Sequence, residues 1–70
     1  MSSTDRLVHM ANQIAANLAM EPDPVAATAN HIRLFWDPRM KRLILEHGNA
    51  GLSIIAATAI AQLVEAHGTA

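Results

Sequence analysis

An all-α fold, a small compact bundle of four short helices, is predicted by three observations. Apolar residues recur at three- and four-residue spacing in four separate stretches. Asp-Pro occurs twice, at Asp23-Pro24 and Asp37-Pro38, and each copy puts a capping carboxylate directly before the proline favoured at a first helical position. Gly48 and Gly68 follow two of the stretches, where glycine is a natural helix stop.

Taken in order, helix one starts at Thr4 and Asp5 and carries Leu7, Met10, Ala11, Ile14, Ala15 and Leu18 along one face to about Met20. Glu21 to Pro24 breaks it. Asp23 caps helix two, whose apolar stripe is Val25, Ala29, Ile32 and Trp36, with Asn30 and His31 directed outward. Asp37, as the residue before a proline, is pushed out of helical geometry, so helix two stops there and helix three restarts at a sharp corner. Met40, Leu43, Ile44 and His47 share one face of helix three, the shortest, and Arg39, Arg42 and Glu46 another. Gly48 to Gly51 forms a turn and Ser53 caps helix four, Ile54 to about His67. Its run IIAATAIAQLV is apolar nearly all round, so this helix is either central in the bundle or covered by something else. Leu34 and Leu45 break the pattern, both projecting away from the apolar faces of their helices. Residues 1–70 read as a single helical domain.

Of 36 apolar residues 14 are Ala, which leaves 22 larger ones for the core. A 70-residue chain is marginal on that supply, and with no Cys it lacks both disulfides and thiolate metal sites. A partner protein or a second copy of the chain, as a homodimer, would supply further burial. The net charge of −1 gives no reason to expect nucleic acid or an anionic membrane as partner. With neither a signal-peptide pattern nor a membrane-length apolar run, a soluble, cytoplasmic protein is expected.

Reactive constellations are not apparent in the sequence. His9, His31, His47 and His67 fall on four different expected helices with no ligand spacing between them, so no metal site is expected. Ser53, Asp23 and Asp37 are explained by capping, and no phosphate-cradling glycine loop is present. The chain is therefore expected to be non-enzymatic.

What stands out is RLFWDPRMKR, residues 33–42. It holds four of the five basic residues, the only Phe and the only Trp, and a local charge of +3. Aromatics and arginines together are characteristic of binding surfaces. Phe35 and Trp36 are equally explained as core anchors at a helix junction, and both readings hold together if the Trp36 ring is partly buried with one edge outward. Arg33, Arg39 and Arg42 then present forked donors suited to carboxylates or phosphates.

HIRLFWDPRMKR from His31 to Arg42, preceded by LVHMANQIA and followed by GLSIIAATAIAQL, resembles the delta subunit family of NAD-dependent, molybdenum-containing formate dehydrogenases. FWDPRM is the specific part. The resemblance implies a small accessory protein of a cytoplasmic enzyme, holding no cofactor of its own. The bis-molybdopterin guanine dinucleotide and iron-sulfur clusters belong to the catalytic subunit, which is the implied partner. It further implies a chaperone-like role in assembly or molybdenum-cofactor insertion. Carried onto this chain, the signature falls on His31, Arg33, Phe35, Trp36, Asp37, Pro38, Arg39 and Met40, and Arg42 extends the basic surface. Leu34 departs from the family pattern, where a variable, often basic, residue is expected. Two other functions stay open at this point. One is direct binding of a guanine nucleotide or the molybdopterin dinucleotide by Arg33, Trp36, Arg39 and Arg42. The other is a purely structural subunit that fills a groove through helix four.

Overall fold

Four helices follow one another in the computed structural model, which describes residues 2–68, with side chains described through Val64. They are α1 (Ser3–Asn17), α2 (Pro24–Phe35), α3 (Pro38–His47) and α4 (Ile54–Gly68). The expected all-α architecture is thus the observed one, and α3 is the shortest helix. The side chain of His67, expected in the last turn of α4, lies outside the described residues.

Each helix start has a local cause. Ser2, not Thr4 or Asp5, caps α1: its Oγ accepts from the Asp5 amide at 3.1 Å, and its own amide donates to Asp5 Oδ2 at 3.2 Å. This reciprocal box satisfies two donors that a helix terminus otherwise leaves open. Asp23 Oδ1 accepts from Ala26 N at 3.1 Å and Asp37 Oδ1 from Met40 N at 2.8 Å, so both Asp-Pro pairs act as the sequence predicts. Ser53 Oγ accepts from Ala56 N at 3.2 Å to start α4.

Helix ends are less regular. α1 stops at Asn17, three residues short of the expected Met20, because tighter bonds from Ala19 N to Ala16 O and from Glu21 N to Leu18 O replace the α-helical ladder. Met20 is consequently 95% exposed. At the corner, Trp36 and Asp37 are extended (ψ 139° and 166°), Asp37 because a proline follows it. Lys41 Nζ, from the first turn of α3, donates to the open carbonyl of Arg33 at 2.8 Å and so staples the end of α2 to α3. Gly48 closes α3 with φ 83°, a conformation other residues avoid.

One core joins all four helices. Leu7, Ala11 and Ala15 come from α1, Ile32 and Trp36 from α2 and its cap, Ile44 from α3, and Ala56, Ile60 and Leu63 from α4. α4 packs against α1, α2 and α3, most broadly against α2, while Ile54 and Val64 of the same helix are 86% and 49% exposed. Leu45 is partly buried and packs against this core rather than projecting outward as expected. His31 is half-buried, not outward-facing as expected, whereas Leu34 is 64% exposed. The Cα radius of gyration, 11.0 Å, matches the roughly 11 Å expected for a compact chain of this length.

A long-range clamp holds α1 to the turn before α4. Asn12 Nδ2 donates to the Gly51 carbonyl and Asn12 Oδ1 accepts from the Ser53 amide, both at 2.8 Å. His47 Nε2 donates to the Ala50 carbonyl at 2.8 Å; a carbonyl can only accept, so that nitrogen carries the proton. Gly51 has φ 79°, and a Cβ there would sit 3.3 Å from Val8 Cγ1.

Candidate functional site

The basic aromatic corner is built by the α2 cap, the Asp37-Pro38 restart and the Lys41 staple, so its backbone is fixed on both sides. Within it the two adjacent aromatics have opposite roles. Trp36 is 5% exposed and belongs to the core; Phe35 is 72% exposed. Trp36 is therefore more deeply buried than a ring with an outward edge, because it continues the Ala29 and Ile32 stripe that α2 turns inward.

Phe35 lies one helical turn beyond His31, and their rings meet with centroids 4.7 Å apart and planes tilted by 41°. Together they form one wall of an open groove of about 350 Å³. Trp36 and Met40 continue that wall, and Met10, Gln13, Ile14 and Asn17 of α1 form the other. Four of the eight predicted binding residues, His31, Phe35, Trp36 and Met40, are thus brought together.

The other four are not in the groove. Asp37 is a structural cap with one carboxylate oxygen committed to the Met40 amide. Arg33 is exposed and its guanidinium donates to Asn30 Oδ1 at 3.2 Å, one turn back on α2. A separation of two residues puts Arg33 on the side of α2 opposite His31. Arg39 and Arg42 are exposed on α3, one turn apart, with Arg39 adjoining groove residue Met40. None of the three arginines therefore lines the groove.

The α1 wall was not part of the predicted site. Met10 and Ile14 share the apolar stripe that reads as core, but Met10 is 38% exposed and lines the groove instead. The signal in the sequence is the uncharged run Met10 to Asn17, in which Gln13 and Asn17 border the same face at a spacing of four. Among the described residues no three His, Cys, Asp or Glu side chains come together as a metal-ion cluster. Nor is any described helix long and apolar enough to cross a membrane.

Residues 6–67 match the family model of the NADH-dependent formate dehydrogenase delta subunit, FdsD. No curated protein and no solved structure gives a match.

Proposed function

The chain belongs to the NADH-dependent formate dehydrogenase delta subunit family, and from that premise we propose that it is a non-catalytic accessory subunit acting by protein-protein contact. In this reading it docks on the catalytic subunit in the cytoplasm and assists assembly or molybdenum-cofactor insertion. The cofactor stays with the partner throughout. The observation that carries the proposal is Phe35: a large aromatic, 72% exposed, on the wall of a groove at the centre of the chain's most distinctive segment. Exposed aromatics beside arginines anchor protein interfaces. The test is co-expression with the enzyme. Arg39→Ala with Arg42→Ala should leave the helical circular dichroism intact and lower the molybdenum content of the purified enzyme; unchanged loading and activity would remove the basic surface from the account.

Direct binding of a guanine nucleotide or the molybdopterin dinucleotide is less well supported. Its stacking platform, Trp36, is in the core, and Arg33 points away from the groove side of α2. Guanine nucleotides added to millimolar concentration should give no saturable change in Trp36 fluorescence. A purely structural subunit draws support from Ile54, 86% exposed at the start of α4. Ile55, by contrast, packs against the core, so Ile54→Asp rather than Ile55→Asp separates association from folding. Loss of enzyme association in Ile54→Asp, with Phe35→Ala silent, would favour that reading.

A further inference from the structure

We infer that Met10 and Met40, on opposite walls of the groove, are a peroxide-sensitive modification site whose oxidation to methionine sulfoxide releases the chain from its enzyme. The inference deepens the accessory reading above and rests on it.

The chain contains no Cys, so its thioethers are the sulfur groups on which a two-electron oxidant acts, and its one Trp is shielded at 5% exposed. Of the described methionines, Met20 lies in the turn after α1, 95% exposed and outside the groove lining. Met10, 38% exposed, and Met40, half-buried, line the groove. Hydrogen peroxide is small enough to reach both without unfolding the chain. The sulfur lone pair attacks one peroxide oxygen: the S–O bond forms, the O–O bond breaks, and the departing hydroxide takes the proton of the transferred oxygen and leaves as water. Sulfur is oxidised by two electrons and the peroxide is reduced by two. A methionine sulfoxide reductase reverses the step, its thiols supplying two electrons and two protons and the oxygen leaving as water.

The groove gives that change its effect. Its lining carries no Asp, Glu, Lys or Arg, so what it offers a partner is mainly apolar area. Met10 and Met40 are two of the five apolar side chains that supply it, with Ile14, Phe35 and Trp36. A sulfoxide turns each flexible apolar side chain into a polar one, whose oxygen needs a hydrogen-bond partner wherever an interface covers it. Oxidation at both positions therefore places a polar group on each wall of the surface that the accessory reading assigns to docking. Met20, outside that lining, serves as the internal control: it reacts without altering the groove.

The test treats the purified full chain with hydrogen peroxide, removes the peroxide, maps sulfoxides by mass spectrometry and measures binding to formate dehydrogenase purified from cells lacking the chain. The expected result is sulfoxide at Met10 and Met40 as well as Met20, native helical dichroism, and binding weakened at least about tenfold. Methionine sulfoxide reductase with dithiothreitol should restore it. Met10→Leu with Met40→Leu, which nearly keeps volume and stays apolar, should bind as the native chain does and go on binding after treatment, whereas Met20→Leu should remain sensitive. Met10→Gln, a polar side chain of similar length, should bind weakly without any oxidant. Sulfoxide confined to Met20, undiminished binding by chain oxidised at Met10 and Met40, or an equal loss in the double leucine variant would each overturn the inference and leave the accessory reading standing. So would native binding by Met10→Gln, or binding lost only together with the helical dichroism. Failure of the untreated chain to bind any enzyme subunit would overturn both.

Discussion

Phe35 and Trp36 are adjacent aromatics with separate jobs, and their substitutions should separate stability from association. Burying a Trp side chain removes about 150–250 Å² from water, worth roughly 4–6 kcal/mol before ordering costs. Trp36→Ala should therefore cost about 3–5 kcal/mol, enough to unfold much of a 70-residue domain, as read by urea titration. Phe35→Ala should stay within about 0.5 kcal/mol of the parent in the same titration, because its ring is mostly in solvent. Thr28 makes the converse point. Its hydroxyl is fully buried on α2 with no hydrogen-bond partner among the described residues, so an isosteric apolar residue relieves a desolvated group. Thr28→Val should raise the melting stability by about 1 kcal/mol; a loss of that size would mean that the hydroxyl is partnered in solution.

The helices differ in how far they follow from nearby residues. The two Asp-Pro starts and the Ser53 cap are legible because a cap needs only a side chain and an amide three residues on. The end of α1 is not, since the stripe Leu7 to Leu18 carries no breaker before Pro22 and the last turn tightens without one. Nor is the Asn12 clamp, which joins residues 39 and 41 positions apart and reads in sequence as an ordinary polar position on α1. Asn12→Ala removes both bonds and should cost about 2 kcal/mol, with loss of hydrogen-exchange protection at the Ser53 amide as its local signature. Gly51→Ala, at φ 79° and close to Val8, should cost about 1 kcal/mol or more in a thermal melt.

At the scale of the whole molecule, four short helices share one core rich in alanine, and their packing leaves a groove at one corner. Half of that groove was legible: His31, Phe35, Trp36 and Met40 cluster in a segment whose composition is unlike the rest of the chain. The α1 half was not, because whether Met10 is core or groove depends on which neighbours the fold places over it. The arginines show the same limit in reverse. Six residues apart in sequence, Arg33 and Arg39 lie on different helices across the turn at Asp37-Pro38, and neither lines the groove. A short chain whose 22 larger apolar residues include an exposed aromatic at a groove fits the accessory reading proposed above.

The most direct measurement is the molybdenum content, per catalytic subunit, of formate dehydrogenase purified from cells that make either the native chain or Phe35→Glu. The account predicts a variant with the native helical dichroism, lost co-purification with the enzyme and a molybdenum content no higher than that of cells lacking the chain. Full molybdenum loading with the folded variant would contradict it.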